Sequence, residues 1–237
     1  MKLSLVIPCY NEAGALPSII ESIKNNFNRE DAEVIIVDNG STDGSNKVLS
    51  ALTANLPRVR VVTVPVNNGY GYGIISGLKE AAGEYLGWTH GDMQTPVQDA
   101  IKALKIIETG GNPRNIFIKG RRIGRPFFDR FFTAGMSIFE SALFRTALYD
   151  INAQPNIFHR SLMEWFLNPP NDFALDLYAY HLAKINGFII KRFPVSFLPR
   201  PHGESHWNTT IRSKYNFIKL VARYSFFLKN NDKYGRK

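Results

Sequence analysis

Glu33-Val34-Ile35-Ile36-Val37-Asp38-Asn39-Gly40-Ser41-Thr42-Asp43-Gly44 is the stretch that decides how this chain is built. Its β-branched run is continuous rather than alternating, so it reads as a strand buried on both faces. It then breaks into Asp, Asn, Gly and Ser, which make turns, and a helix opens after Asp43. Strand, polar turn and helix together form the unit of a parallel sheet with crossover helices. The unit also precedes this stretch: Leu3 to Ile7 reads as a strand, followed by a helix from about Gly14 to Phe27. It recurs downstream as Arg58 to Val64 with a Gly-rich helix from Tyr70 to Ala82, then as Tyr85 to Thr89 with a helix from Pro96 to about Glu108. Asn115 to Lys119 reads as a fifth strand.

Beyond Lys119 the pattern changes. Pro126 to Leu148 is a long helical stretch rich in Phe and Met, and Asp150-Ile151-Asn152-Ala153-Gln154-Pro155 is too polar and proline-broken to continue it. A helix from about Phe173 to Asn186 leads into two short strands around Ile189 to Phe197. No repeat or low-complexity linker intervenes, so the second half reads as an elaboration of one α/β domain. The 237 residues, 44% hydrophobic and 21% charged, suit that size and class. The single cysteine, Cys9, excludes an intrachain disulfide or a Cys-rich metal site, and fits a reducing compartment. No signal peptide is read at Met1-Lys2, and no run approaches the roughly twenty apolar residues of a spanning helix.

The formal net charge of +9 is unevenly placed. Eight basic residues between Ile211 and Lys237 (Arg212, Lys214, Lys219, Arg223, Lys229, Lys233, Arg236 and Lys237) face Asp232 alone. Nucleic acid and an anionic bilayer are both partners for such a tail. Arg212, Asn216, Lys219, Arg223 and Asn230 fall on one helical stripe, and Phe217, Leu220, Val221, Tyr224, Phe227 and Leu228 on the opposite one. A basic amphipathic helix of this kind lies in a membrane interface, packs on its own domain or meets a membrane subunit.

In an open parallel sheet, ligands bind beyond the carboxyl ends of the strands. The loops there read Pro8-Cys9-Tyr10-Asn11-Glu12, Asp38 to Gly44, Asn67-Asn68-Gly69-Tyr70-Gly71 and His90-Gly91-Asp92-Met93-Gln94. Each alone is a turn; four on one rim point to a shared site. Asp38 can accept from a nucleobase or ribose, or cap its own turn. Ser41 and Asp43 are expected to cap the next helix. Asn68-Gly69 lets backbone approach a ligand closely. Asp92 and Gln94 offer two oxygens to a hard divalent cation held mainly by diphosphate, Mg2+ or Mn2+, and a nitrogen from His90 would favour Mn2+.

Val6-Ile7-Pro8-Cys9-Tyr10-Asn11-Glu12, Val37 to Gly44 and Asp92-Met93-Gln94-Thr95-Pro96, continuing through Gly120-Arg121-Arg122, Phe193-Pro194-Val195 and Arg200-Pro201-His202-Gly203-Glu204-Ser205-His206, resemble family 2 glycosyltransferases of the GT-A fold. Within that family the chain is most similar to dolichyl- and polyprenyl-phosphate mannosyl- or glucosyltransferases. The resemblance implies that Pro8, Tyr10, Glu12 and Asp38 hold the nucleoside of a nucleotide sugar. Asp92 and Gln94 would bind the metal, Arg200 would engage the diphosphate with Ser205 and His206 nearby, and Arg121 and Arg130 would face the acceptor phosphate. It implies a GT-A domain over 1–206, divided at 120 into nucleotide-sugar and acceptor-side parts, with a basic amphipathic tail over 207–237. His90 stands where the family's metal motif carries its first aspartate, and Asn39 where a second aspartate is common. Ser205-His206 replaces Ser-Lys, and Asn152-Ala153-Gln154-Pro155 replaces a Ser-Gly-Phe-Arg-like stretch.

A hydroxyl acceptor must lose a proton and needs a carboxylate base; an ionised phosphate needs cations instead. Arg121, Arg122, Arg125 and Arg130, expected just after the fifth strand, supply that density. Asp172 and Asp176, near a helix start, are expected to be an N-cap and a helix-face residue, Asp172 being the base if the acceptor is a saccharide hydroxyl. The expectation is therefore inverting, metal-dependent transfer from a GDP- or UDP-sugar to a polyprenyl phosphate at the cytoplasmic face of a membrane, without nucleic acid. The alternatives are transfer to a glycan and a catalytically weak nucleotide-sugar-binding protein.

Overall fold

The computed structural model describes residues 1–92, 94–125, 127–196 and 211–230. In chain order the elements are β1 (Leu3–Cys9), α1 (Leu16–Asn26), β2 (Ala32–Asn39), α2 (Ser45–Thr53), β3 (Val59–Val64), α3 (Tyr70–Glu80), β4 (Tyr85–Trp88) and α4 (Gln98–Thr109). They continue with β5 (Ile116–Ile123), α5 (Phe127–Phe144), β6 (Asn156–His159), a 3-10 turn (Arg160–Trp165), α6 (Leu175–Ile185), β7 (Ile189–Ser196) and α7 (Ile211–Asn230). The strands form a 7-stranded sheet in the order β3-β2-β1-β4-β6-β5-β7. Only β6 runs against its neighbours β4 and β5.

The continuous apolar run of β2 is explained by helices on both faces. Leu3, Leu5 and Ile7 of β1 with Val34 and Ile36 of β2 pack under α1, α2 and α4. The alternate residues Val6, Ile35 and Val37 pack under α3 and α6. Gly77 lets α3 lie flat on the sheet, since a Cβ there would meet Val6 Cγ1 at 2.6 Å and Val37 Cγ2 at 2.8 Å.

The half beyond Lys119 departs from the sequence reading. β5 runs on to Ile123 because β7 pairs with it in parallel from Ile116 to Ile123, so Arg121 and Arg122 lie on a strand rather than in a loop after it. β6 was not foreseen; four residues behind the cis Gln154–Pro155 bond are too short to show a period. The two strands expected around Ile189 to Phe197 are one strand to Ser196, tolerant of Pro194 because β7 is an edge. α4 opens at Gln98, and α5 stops at Phe144, where Arg145 takes φ +52°.

α7 packs on its own domain. Val221 is buried among Leu148, Ile151, Leu177 and Tyr180, and Leu228 is buried against the α3–α6 layer. The expected apolar stripe therefore splits, with Leu220 and Phe227 left exposed. Ser225 Oγ lies 2.8 Å from Glu140 Oε1 of α5, a carboxyl with no exposed surface whose Oε2 has no hydrogen-bond partner among the described residues. Burial pushes the Glu140 carboxyl up from 4.5 to about 7. The folded chain thus holds a proton here that the unfolded chain releases, and stability falls as pH rises from about 4.5 to about 7. Thermal melts over that range should show the wild type losing up to about 3 kcal/mol relative to Glu140→Gln, whose profile lacks this slope.

Candidate active site

β1 pairs with β2 on one edge and β4 on the other, so the chain reverses its order of addition between β1 and β4. A crevice opens where adjacent strands send their loops to opposite sides. Here Thr89 N donates to Val6 O (3.1 Å), carrying the β4 chain alongside β1 to the rim. Gly91 then presses on the β1 loop: a Cβ there would lie 2.8 Å from Pro8 O and 3.2 Å from Cys9 Sγ. Only a residue without a side chain lets the turn between His90 and Asp92 lie on Pro8 O and Cys9 Sγ. Tyr10 is exposed at this edge, while Pro8, Glu12, His90 and Asp92 are half-buried.

The β1 and β2 loops are bound together. Asn11 N donates to Ser41 Oγ (3.0 Å), Glu12 N to Ser45 Oγ (3.1 Å) and Ala13 N to Asp43 Oδ2 (2.9 Å), and Asn11 Oδ1 accepts from Thr42 N (2.8 Å). Asp43 Oδ1 also accepts from Ser45 N, while Gly44 holds the N-cap position of α2. Asp38 is buried and accepts from Ser41 N at 3.1 Å, which is the turn-capping role. Asn39 donates from Nδ2 to Gly69 O at 3.0 Å. An aspartate there would oppose a carbonyl rather than donate to it, which gives this departure from the family pattern a physical reason.

Asn68 is exposed, and Gly69, at φ +110°, sits where a Cβ would meet Asn171 O at 2.3 Å. The Tyr70 ring stacks on Phe173 at 4.7 Å and lies 5.6 Å from His90. Burial, then the charges of Asp176 and Asp92, push its hydroxyl well above the ordinary phenol range. Cys9 is no nucleophile, because burial drives its thiol up and keeps it protonated.

Asp92 Oδ1 accepts from Gln94 N at 3.0 Å, folding the loop so that both side chains rise from one turn. Among the described residues no three His, Cys, Asp or Glu form a cation cage. One carboxylate, one amide oxygen and one imidazole are too few ligands for a structural metal, and would suit a divalent cation that brings diphosphate oxygens with it. Thr89 Oγ1 and Asn39 Oδ1, at the ends of β4 and β2, are buried without hydrogen-bond partners among the described residues.

The arginines divide into two kinds. Arg122 Nε donates to Asp150 Oδ1 at 2.8 Å and Arg125 to Thr133 Oγ1 at 2.7 Å, so both brace the chain. Arg121 on β5 and Arg130 on α5 are exposed. Asp172 Oδ1 accepts from Ala174 N (2.9 Å) and turns the chain into α6. Asp176, expected on a helix face, lies in the first turn of α6 on its inward face; it is 1% exposed and joins Trp88, Gln154 and Asn156. Its only sign in the sequence is a carboxylate within an apolar helical run. Lys119, fully buried beside it, is pushed by desolvation down to about 7. Arg200, Ser205 and His206 lie outside the described residues.

The chain resembles solved glycosyltransferases in fold. A mannosyltransferase from Pyrobaculum calidifontis, in complex with GDP-Man and Mn2+, superposes with TM-score 0.62 at 20% identity over 84% of this chain and 58% of that one. Glucosyl-3-phosphoglycerate synthase from Mycobacterium tuberculosis, with Mn2+, UDP and phosphoglyceric acid, gives TM-score 0.70 at 16% identity over 100% of this chain and 79% of that one. The mostly parallel sheet between helices is thus the GT-A arrangement. In sequence, the undecaprenyl-phosphate 4-deoxy-4-formamido-L-arabinose transferase of Yersinia enterocolitica is 34% identical over 113 residues, 46% of this chain and 34% of that protein. Its Yersinia pestis counterpart is 31% identical over 113 residues. The match spans about a third of those relatives' length. The family model for glycosyl transferase family 2 covers residues 4–161, most of the sheet and every loop of the crevice, and the chain belongs to that family.

Proposed function

We propose that this chain transfers a sugar, with inversion, from a nucleoside diphosphate donor to a polyprenyl phosphate at a membrane surface. The observation that carries the reading is the contact of Gly91 with the β1 loop, which brings the turn between His90 and Asp92 onto Pro8 O and Cys9 Sγ. In this reading Pro8, Tyr10, Glu12, Asp38, Asn68 and Gly69 hold the nucleoside, with Arg200, Ser205 and His206 at the diphosphate. Asp92 and Gln94 would hold Mg2+ or Mn2+ with His90 beside them, and the cation would offset charge on the leaving diphosphate. A phosphate acceptor arrives ionised, so the protein has to overcome repulsion between two anions. The exposed guanidinium groups of Arg121 and Arg130 suit that task.

The acceptor's lipid class is supported by the Yersinia relatives' names and by an apolar surface on α5. Phe127, Phe131 and Ile138 are 74%, 73% and 71% exposed, and Phe226 and Phe227 of α7 are more than half exposed. Arg130, Arg145, Lys219, Arg223 and Lys229 are exposed on the same two helices or just beyond, and α7 carries no acidic residue. Rings backed by cations suit the headgroup zone of an anionic cytoplasmic leaflet. Among the described residues no helix is long and apolar enough to cross a membrane, so contact by these helices is peripheral.

A saccharide hydroxyl is the second reading. Asp172 borders a pocket of about 450 Å³ shared with Lys219, Leu220, Arg223 and Tyr224, where a base could meet a sugar.

Three outcomes test these statements. GDP- or UDP-sugar should raise the melting temperature further with Mn2+ than without, and Asp92→Ala should abolish that increment and cut turnover roughly a hundredfold. Label should pass into undecaprenyl phosphate extracted by organic solvent, with activity kept in Asp172→Asn. Refusal of every polyprenyl phosphate, with a sugar hydroxyl glycosylated only when Asp172 is intact, supports the second reading instead. Flotation should show binding to phosphatidylglycerol vesicles that falls roughly tenfold or more when Phe127 and Phe131 are both changed to Ser.

A further inference from the structure

Beneath the crevice lies a buried polar cluster for which neither the donor nor the acceptor chemistry has a use. Asp176 Oδ1 accepts from Trp88 Nε1 at 3.0 Å, Gln154 Nε2 at 2.8 Å and Asn156 Nδ2 at 2.6 Å. Gln154 Nε2 also lies 3.3 Å from the Tyr70 hydroxyl. Lys119 Nζ donates to Asn156 Oδ1 at 2.6 Å and to Ala153 O at 2.9 Å, so a cation stands one amide away from the carboxylate. A charged pair of this kind stabilises a core no better than apolar side chains of the same volume. Its distinctive property is direction: three donors converging on one oxygen fix the angle of each group that donates.

Two of those groups lead to one loop. Trp88 ends β4, two residues before His90, and sets where the loop leaves the sheet. Tyr70, reached through Gln154, lays its ring 5.6 Å from the His90 ring and is held from behind by Phe173 at 4.7 Å. The root of the loop and its flank are thus tied to the same buried carboxylate on α6.

We propose that Asp176 is a positioning residue for the cation-holding loop, orienting His90 and Asp92 through Trp88 and through the Gln154–Tyr70 link. The inference rests on the donor-site reading above and adds a specific consequence. His90, facing a fixed ring, keeps few orientations, so the imidazole is ordered before the cation arrives and takes over a place where a second carboxylate would be expected. Coupling α6 to the loop also makes donor-side geometry depend on the acceptor-side layer.

The test separates cation binding from nucleotide binding. Mn2+ affinity is measured by electron paramagnetic resonance of the free ion, in the presence of GDP and of UDP, and nucleotide affinity is measured by calorimetry with EDTA. Asp176→Asn preserves shape and removes the charge. It should weaken Mn2+ binding in the nucleotide complex about tenfold or more while leaving metal-free nucleotide affinity unchanged within roughly twofold. Gln154→Met cuts the Tyr70 branch, together with the bonds of Gln154 to Asp176 and Asn156, keeps the Trp88 branch, and should weaken Mn2+ binding by roughly three- to tenfold. It decides the matter if Asp176→Asn does not fold. Unchanged Mn2+ affinity in a folded variant overturns the inference, as does an equal loss of metal-free nucleotide affinity, which would mean general loosening. A wild-type chain in which neither GDP nor UDP strengthens Mn2+ binding defeats the donor-site reading, and this inference with it. A wild type that does bind, beside unaffected variants, defeats only this inference.

Discussion

The pairing of β1 with a parallel neighbour on each edge is the constraint from which the rest follows. A strand in that place must be apolar on both faces, and Leu3, Leu5, Val6 and Ile7 all have no exposed surface. It also sends the chain outward first to β2 and β3 and then back to β4, which opens the crevice beside its own carboxyl end. Crossover helices on both faces then close the core. Function is left to the loops, since they alone escape the packing demands of the sheet.

Those loops are not free to choose their residues. Gly91 must be small to lie on Pro8 O, and Gly69 must be small to lie on Asn171 O. Asn39 must donate to reach Gly69 O. Hydrogen bonds join the β1 and β2 loops, so this part of the rim is one body rather than two turns. Preorganisation of this kind lowers the ordering cost of binding. It accounts for polar residues whose hydrogen bonds brace the loops, Ser41 and Asp43 among them.

The half of the chain beyond Lys119 is built on different physics. Its sheet carries the antiparallel β6, and its centre is polar: Lys119, Asn156, Gln154 and Asp176 are all buried. Such a centre is costly unless every group is partnered, and here the hydrogen bonds run from Lys119 through Asn156 and Asp176 to Trp88. Outside it, α5 and α7 meet through Ser225 and Glu140 and turn phenylalanines outward. Exposed Phe beside lysines and arginines forms the surface that the proposed membrane contact would use.

The sequence by itself determined the first five strands, their crossover helices and the polar rim. Those signals are local: a β-branched run, a turn residue, a period of two or of 3.6. The loops at the strand ends were legible for the same reason, because each follows its strand directly. Tertiary structure alone decided what depends on distant partners. β5 is long because β7 pairs with it, and β6 exists because β4 and β5 flank it. Arg122 became a brace because Asp150 faces it. α7 turned its mixed apolar stripe half inward because α5 and α6 offered a seat. Asp176 looks like one more helix-face carboxylate until the sheet brings Trp88 to it from 88 positions away, a juxtaposition no local pattern encodes.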